Sequence, residues 1–295
     1  MPPDAHPLIP NAIHQSTSTG SPHAAYAELH CLTNFTFLRG ASHPEELVER
    51  ASALGYTALA ITDECSMAGV VKAHIAAKRC QLKLIIGNEL ILEDGTKIIL
   101  LAKNRQGYGK LCHIITLARR RAKKGQYQVT LNDLKGSTDH LVAIWIPQQR
   151  ERLEHGSDLS ALKTLFGTQL WLGAVRALDG FDHIRTQDLQ AIASAHTLPI
   201  VACGDVQMHA SNRKPLLDTL CAIRHGRSVQ SAGRLLQSNA ERYLKTCAEL
   251  TALYPQQWLT NTRSIAETCT FSLDELRYEY PKELVPAHQT PTSYL

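Results

Sequence analysis

The sequence predicts an α/β fold, and three observations favour it. Short apolar runs typical of buried parallel strands recur along the chain, such as residues 57–62 (TALAIT). Stretches with the apolar spacing of an amphipathic helix separate most of these runs. Six or seven such units fit within the 295 residues. This number of units indicates a closed barrel, and an open doubly wound sheet is the alternative.

The first unit shows most clearly how the sequence specifies a strand and then a helix. Residues 25–32 have strand character. Ser42 can cap the N-terminus of the following helix, while Glu45 and Glu46 place negative charge in the first turn, where the helix dipole favours it. Gly55 is suited to end this helix after an apolar face of leucine, valine and alanine residues.

Later units repeat the pattern with the same signals for strands and helices. The further predicted strands cover residues 57–62, 82–87, 96–101, 141–146, 170–175 and 199–202. The further predicted helices cover residues 66–79, 109–122, 158–166, 183–196 and 213–224. Together these elements predict one barrel domain with C-terminal helices over residues 25–278.

Composition limits the class of protein. Hydrophobic residues make up 44% of the chain and charged residues 20%. A chain of this composition and length can bury a large core as one barrel or as two smaller domains. The net charge of +4 is well below the concentrated positive charge of a dedicated nucleic-acid binder. The eight cysteines include no C-x-x-C pair, so neither a zinc ribbon nor a redox dithiol is encoded locally.

The N-terminal region lacks the signals that would direct the chain into or across a membrane. Residues 1–24 are rich in proline, serine and threonine without periodicity, which predicts a disordered, flexible tail. No basic stretch followed by an apolar run marks a secretory signal, and no apolar run approaches the ~18 residues of a membrane span. The sequence therefore predicts a cytoplasmic protein with no membrane partner.

Residues able to bind a metal ion follow several predicted strands. His30 follows the first strand, Asp63 and Glu64 follow the second, Glu89 follows the third, and Asp205 follows the last. Active sites of barrels and of open parallel sheets both lie beyond the carboxyl ends of the strands. The pattern therefore predicts that these five side chains form a site at one end of the fold.

Four longer runs carry a resemblance to a known family. They are HCLTNFTFLRGAS, ELVERASALGYTALAITD, GYGKLCHIITLARRRAKKG and SLDELRYEYPKELVP. These runs resemble the amino-terminal polymerase-and-histidinol-phosphatase (PHP) domain of bacterial C-family DNA polymerases, the superfamily of the DNA polymerase III alpha subunit, and in particular its error-prone branch. The resemblance extends from about Tyr26 to Leu295. It implies a distorted (β/α)7 barrel, which in catalytically competent members holds metal ions through mostly histidine ligands.

The resemblance also implies which residues occupy the metal-ligand positions of the family. Ligands are retained at His30, Asp63, Glu89 and Asp205. Other residue types stand at Leu32, Arg39, Glu64, Arg119, Pro147 and Gln207. Leucine and proline offer no side-chain ligand, and an arginine brings a fixed positive charge to a place where dications bind. We therefore expect the metal site of the family to be degenerate in this chain.

Two states of this degenerate site are compatible with the sequence. An oxygen-rich set of ligands suits magnesium or manganese and could hold one such ion weakly. This set consists of His30, Glu64, Glu89 and Asp205. Alternatively, Arg39 and Arg119 pair with the carboxylates and replace the metal contacts with salt bridges. We favour the second state, in which the chain has no cofactor of its own and hydrolyses no phosphoester.

A basic run lies at the end of the predicted helix over residues 109–122. It consists of Arg119, Arg120, Arg121, Lys123 and Lys124. Clustered lysine and arginine residues can bind nucleic-acid phosphates. Such a run is more often a solvated helix end whose cations complement the helix dipole. Both interpretations stay open on the sequence alone.

Motifs that would assign another activity are missing from the sequence. It contains no Walker loop, G-x-S-x-G elbow or dinucleotide fingerprint. It also lacks an Asp-x-Asp pair that could hold the two magnesium ions of a polymerase palm. The resemblance implies that residues 279–295 are the start of a truncated palm region. Whether the chain alone is an enzyme therefore stays open.

The resemblance implies a function for the chain as part of a larger enzyme. In the intact polymerase it would support the polymerase core in cis, while the whole enzyme uses magnesium to copy damaged DNA in DNA repair. DNA would be a partner only through that enzyme, and translesion accessory proteins are expected as further partners. The alternatives are a free-standing PHP-type metal-dependent phosphoesterase with a reduced metal site, and a scaffold that binds partner proteins without chemistry.

Overall fold

A single sheet of seven strands forms the centre of the computed structural model, which describes residues 26–136, 138–147, 157–277 and 289–294. The strands lie in the order in which they occur in the sequence. They are β1 (Ala27–Glu28), β2 (Ala58–Ile61), β3 (Lys83–Ile91), β4 (Lys97–Ala102), β5 (Leu141–Ile146), β6 (Leu170–Val175) and β7 (Ile200–Cys203). Every predicted strand is therefore present, although the first is much shorter than residues 25–32.

Helices connect most of the strands. They are α1 (Pro44–Ala53), α2 (Val70–Cys80), α3 (Arg105–Arg121), α4 (Ser157–Phe166), α5 (Asp182–His196), α6 (Lys214–Arg224), α7 (Val229–Ala232), α8 (Cys247–Leu253), α9 (Gln256–Thr268) and α10 (Pro291–Tyr294). The predicted helices agree with these bounds within a few residues. The N-cap of α1 is His43 rather than Ser42, because the main-chain N–H of His43 donates to Glu46 at 2.8 Å in a capping box.

Strand β4 runs in the direction opposite to its neighbours. It pairs antiparallel with β3, where Glu89 lies opposite Ile99, and antiparallel with β5. The other neighbouring strands pair in parallel. A turn over residues 92–96 joins β3 directly to β4, and so short a connection permits only antiparallel pairing. The prediction of an α/β barrel is confirmed, but β4 is not one of the buried parallel strands that its apolar run predicts.

The first and last strands meet beyond their ends and close the sheet. Cys31 and Val206 form a parallel bridge, in which the N–H of Val206 donates to the carbonyl of His30 at 2.9 Å. The buried carboxylate of Glu28 strengthens this seam by accepting a hydrogen bond from the N–H of Gly204 at 3.0 Å. The sheet is therefore a nearly closed, distorted barrel, and the open doubly wound alternative is wrong.

The barrel has two apolar layers because side chains alternate between the faces of each strand. In β2, Leu59 and Ile61 pack in one cluster with residues of the surrounding helices, whereas Ala58 and Ala60 belong to a second cluster. Helix α9 contributes Ile265 to this second cluster and packs against β1 and β7. Burying one large aliphatic side chain stabilises a fold by about 1.5–3 kcal/mol, so both layers hold the strand ends in fixed positions.

Some predictions concern residues outside the described ranges. The flexible tail at residues 1–24 lies outside them, and so does most of the predicted palm start at residues 279–295, of which the structure describes α10 and the two residues before it. The domain boundaries at residues 25 and 278 therefore stay predictions. Within the described ranges, no helix is long and apolar enough to span a membrane.

Candidate functional site

Three of the predicted ligand residues meet at the mouth of the barrel, the end at which the parallel strands have their carboxyl termini. His30 follows β1, Glu89 lies in β3, and Asp205 follows β7. His30 Nε2 is 2.7 Å from Glu89 Oε2 and 3.6 Å from Asp205 Oδ1. One donor atom of each residue lies within 4.8 Å of the others, and all three residues are buried. We call these three residues the mouth cluster.

Three basic side chains contact the carboxylates of the mouth cluster. Lys97, the first residue of β4, places Nζ 2.9 Å from Glu89 Oε2 and 3.5 Å from Asp205 Oδ1. Arg39 places Nη1 2.6 Å from Glu89 Oε1. Arg242, in the irregular chain before α8, pairs with Asp205 Oδ2. Both carboxylates of the mouth cluster therefore have two cationic partners each.

Glu64 joins this charged group at its outer side. It pairs with Arg39 and accepts a hydrogen bond from the hydroxyl of Tyr127 at 2.8 Å. The side chains of Arg39 and Glu64 are 14% and 17% exposed, so both members of this pair reach solvent in part. Of the carboxylates considered as partners for Arg39, the structure brings Glu64 and Glu89 to it, but not Asp205.

Burial and neighbouring charges fix the protonation of the mouth cluster. Burial raises the pKa of Glu89, but Lys97, the hydrogen bond with His30 and the charge of Arg39 together hold this pKa well below its usual value. Burial and Lys97 lower the pKa of His30. Burial lowers the pKa of Arg39, whereas Glu89 and Glu64 raise it more strongly. At neutral pH, Glu89 is therefore ionised, Arg39 is charged and His30 is neutral.

Asp63 lies apart from the mouth cluster, although the resemblance marks it as a retained ligand. Its Oδ1 accepts hydrogen bonds from the N–H of Thr33 at 2.8 Å and from the hydroxyl of Thr36 at 2.7 Å. Its Oδ2 accepts one from the hydroxyl of Thr33 at 2.8 Å. Burial raises the pKa of Asp63 more than these bonds lower it. Asp63 therefore holds the loop after β1 in place.

Other positions indicated by the resemblance have local structural contacts. Gln207 accepts a hydrogen bond from the side-chain amide of Gln237 at 2.7 Å. Leu32 is fully buried, and Pro147 is half-buried directly after β5. Leucine and proline side chains offer no donor atom, and the amide oxygen of Gln207 is engaged by Gln237.

Arg119 does not pair with the site carboxylates, so that expectation is wrong. Its guanidinium donates to the main-chain carbonyl of Cys65 at 3.0 Å and to that of Glu64 at 3.4 Å. It also lies over the ring of Tyr127, 5.3 Å from the ring centre. The last turn of α3 runs beside the chain that follows β2, and the nearest acceptors for this side chain are therefore carbonyl oxygens.

The rest of the basic run divides into a paired and an exposed part. Arg121 pairs with Asp133, and one of the two hydrogen bonds is 2.7 Å long. Arg120, Lys123 and Lys124 are exposed. Nucleic-acid contact by the run stays a prediction that rests on these exposed side chains and on Arg121 at the surface.

Sequence reasoning does not single out Lys97 or Arg242, although both contact the mouth cluster. Lys97 does leave a signal, because it opens the apolar run of β4, and a lysine is rarely buried without a charged partner. Arg242 leaves none. It lies in irregular chain, far in sequence from every ligand motif, and only the fold brings it to Asp205.

The mouth cluster does not fit the metal ions that the PHP family implies. Lys97 Nζ contacts both Glu89 and Asp205, so an ion bound between them would meet a positive charge at short range. His30 Nδ1 is buried and has no hydrogen-bond partner within the described part of the chain. A histidine that binds a metal usually donates its second ring nitrogen to an acceptor, which orients the ring.

The chain is similar to known proteins in sequence. Residues 28–145 match the model of the PHP domain. The chain is 51% identical over 276 residues to an error-prone DNA polymerase of Methylococcus capsulatus, covering 93% of this chain and 26% of that protein. It is 49% identical over 273 residues to an error-prone DNA polymerase of Pseudomonas aeruginosa, covering 92% of this chain and 26% of that protein. The chain thus spans about a quarter of the length of the curated relatives it matches.

Solved structures show a partial likeness. An amidohydrolase from Chromobacterium violaceum, with bound sulfate and no metal, aligns with a TM-score of 0.47 and 16% identity. The alignment covers 62% of this chain and 88% of that one. A proposed metal-dependent phosphoesterase from Bifidobacterium adolescentis aligns with a TM-score of 0.44 and 19% identity, over 62% and 87% of the two chains.

Proposed function

We propose that this chain is the PHP-domain part of an error-prone DNA polymerase and that it acts there as a non-hydrolytic support for the polymerase core. One observation carries the proposal. The carboxylates of the mouth cluster are neutralised by side chains of the same chain, so the donor atoms that a phosphoesterase would use for metal ions are engaged. Metal-assisted hydrolysis needs an ion with an open position for water.

The basic side chains at the mouth would hold neighbouring segments of the chain together and would not take part in hydrolysis. Arg39 ties the loop after β1 to β3, and Lys97 ties β4 to the chain that follows β7. Arg242 ties the chain before α8 to the same point. Buried ion pairs are directional and costly to break one at a time, so we expect them to hold the mouth in one arrangement. A fixed mouth would give an attached polymerase core a rigid neighbour.

The wider activity would belong to the whole enzyme. The relatives are error-prone DNA polymerases, so we propose that the intact protein is a nucleotidyltransferase that copies damaged DNA in repair, with magnesium held by its polymerase core. DNA would reach this chain through that core in cis. Translesion accessory proteins are further proposed partners, and the cytoplasm is the proposed location.

A chimeric polymerase tests the supporting role. The aligned quarter of the Methylococcus capsulatus enzyme is replaced by this chain, and primer extension is measured on undamaged and damaged templates. We expect the chimera to extend primers, whereas the same polymerase with that quarter deleted loses most of its activity. Equal activity of the deleted form would contradict the proposal.

The alternative function, a free-standing PHP-type phosphoesterase, predicts metal-dependent turnover. We expect the purified chain to release no product from a model phosphodiester in the presence of manganese, zinc or magnesium, because its ligands are engaged. Asp205→Ala and the surface variant Asp274→Ala provide the comparison. Turnover that is lost in Asp205→Ala and kept in Asp274→Ala would establish the alternative.

A further inference from the structure

An irregular segment lies at the barrel mouth and is held at two points. We call residues 237–245 the strap. On one side, the side-chain amide of Asn239 donates to the carbonyl of Ala177, beyond β6, at 2.7 Å. On the other side, the amide of Gln237 donates to Gln207, beyond β7, at 2.7 Å. The strap is therefore fastened to the ends of two neighbouring strands, next to the mouth cluster.

The main chain of the strap positions Arg242 at its centre. The carbonyl of Arg242 accepts hydrogen bonds from the N–H groups of Gln207 at 2.9 Å and Met208 at 3.2 Å. The next residue, Tyr243, forms a parallel bridge with Met208. These contacts fix the backbone at the carbonyl of Arg242 and at the residue that follows it, and the Arg242 side chain reaches Asp205. Backbone pairing of residues 242–243 with residues 207–208 therefore places Arg242 next to the mouth cluster.

The charges at the mouth balance only when the strap is in place. The carboxylates are Glu64, Glu89 and Asp205, and the cations are Arg39, Lys97 and Arg242. The three carboxylates are thus matched in number by three basic side chains that contact them. A divalent ion added to this set would leave two uncompensated positive charges in a buried site, which is strongly unfavourable. Without Lys97 and Arg242, the same site carries two negative charges.

We propose that the strap is an autoinhibitory occupant of the mouth. Arg242, together with Lys97, supplies the two positive charges that a single divalent cation would otherwise bring to His30, Glu89 and Asp205. The donor atoms of the mouth cluster already lie within 4.8 Å of one another, so removing the two competing cations exposes a geometry that suits manganese. This inference goes beyond the supporting role, because it applies to the isolated chain with or without a polymerase core.

Manganese titration of a double variant tests the proposal. Lys97→Met combined with Arg242→Gln removes both charges and keeps side chains of similar size. We expect calorimetry to show one manganese ion per chain, bound at least about tenfold more tightly than by the wild type, a gain of ~1.4 kcal/mol. Adding Asp205→Asn should abolish the gain. Equal affinity of wild type and double variant would overturn the proposal.

A matched control separates the local effect from the change in net charge. Lys123→Met with Arg224→Gln removes the same two charges from exposed positions and should leave manganese binding unchanged. If the double variant is too unstable for calorimetry, melting is followed with manganese or with a chelator. Manganese must then raise the melting temperature of the double variant and not that of the control. Absence of this rise would contradict the proposal equally.

Discussion

Buried carboxylates at the barrel mouth depend on individual basic side chains. Asp205 is contacted by Arg242 and, less closely, by Lys97 at 3.5 Å. A buried ion pair contributes little compared with well-packed apolar residues, but removing one partner leaves an uncompensated charge and is strongly destabilising. The mouth is therefore stable only when each buried carboxylate keeps all of its basic partners.

Arg242→Gln should destabilise the chain. Removing one member of a buried pair costs about 3–5 kcal/mol, but Arg242 is 27% exposed and Lys97 remains near Asp205, so we expect a loss of about 2 kcal/mol in the free energy of unfolding. Urea denaturation measures it. The exposed control Arg224→Gln should stay within about 0.5 kcal/mol of the wild type. A variant as stable as this control would show that the Arg242 contact has no net effect.

Thr36→Val tests the loop after β1. The hydroxyl of Thr36 donates to Asp63 at 2.7 Å and accepts from the N–H of Glu64 at 3.0 Å, and both bonds would be lost at nearly constant volume. Leaving such groups unpaired costs about 1–3 kcal/mol each, so we expect a decrease of at least about 1 kcal/mol in chemical denaturation. Thr219→Val, on the exposed surface of α6, should have a smaller effect. The reverse order would contradict the role given to Asp63.

Residue identity predicts only part of the site. Arg39 stands where the resemblance implies a ligand, so an ion pair with nearby carboxylates is a natural interpretation of the sequence. Arg242 carries no such mark, because its place depends on backbone hydrogen bonds to Gln207 and Met208 that form only in the folded chain. Arg119 shows the opposite case, in which the sequence predicts an ion pair that does not form. This arginine also stands at a ligand position, but it donates to carbonyl oxygens and not to carboxylates.

The secondary-structure elements follow from periodicity, but strand direction does not. The apolar run of β4 is the same whether the strand is parallel or antiparallel, and the length of the preceding connection decides its direction. Here the turn at residues 92–96 is too short for a crossover. The reversal of β4 puts Lys97 at the mouth, because the start of an antiparallel strand lies at the end where parallel strands finish. The missed reversal and the missed lysine therefore have one cause.

The C-terminal end of α3 should depend on an acid-sensitive contact. The hydrogen bonds from Arg121, opposed by some burial, lower the pKa of Asp133 to about 2. Because the pKa of an unfolded aspartate is about 3.9, the contact stabilises the chain fully above about pH 4 and loses its effect as the pH falls toward 2. Asp133→Asn should lower the melting temperature at pH 7, and its difference from the wild type should shrink between pH 4 and pH 2.

The surface variant Asp139→Asn provides the control for this pH dependence. It makes the same change of charge on the exposed surface near the N-terminal end of α3, away from Arg121, and no described ion pair involves its side chain. Its melting temperature should follow that of the wild type at every pH. A difference between Asp133→Asn and the wild type that is constant from pH 7 to pH 2 would show that ionisation of Asp133 is not the source of the stability.

At the scale of the whole molecule, seven strands close around an apolar interior, and the mouth is completed by charges from distant parts of the chain. Alternation of strand and helix predicts the barrel, since few folds accommodate so many units in a chain of this size. Among the described residues, closure involves the bridge between Cys31 and Val206 and the Glu28 carboxylate. Such contacts between remote residues have no signature in local periodicity.

Removal of metal ions should leave the whole molecule unchanged. Because the mouth is neutralised by side chains, we expect the same melting temperature in excess chelator as in buffer containing manganese, zinc or magnesium. Differential scanning calorimetry measures this directly. A melting temperature that falls in chelator and recovers with one equivalent of metal would show that an ion contributes to the native structure.

The most direct test of a mouth held by basic side chains is anomalous diffraction from crystals of the chain soaked in manganese. We expect Lys97 Nζ beside Glu89, the Arg242 guanidinium beside Asp205, and no anomalous peak at the mouth cluster. A manganese peak between His30, Glu89 and Asp205, with Arg242 displaced from its carboxylate, would contradict the account.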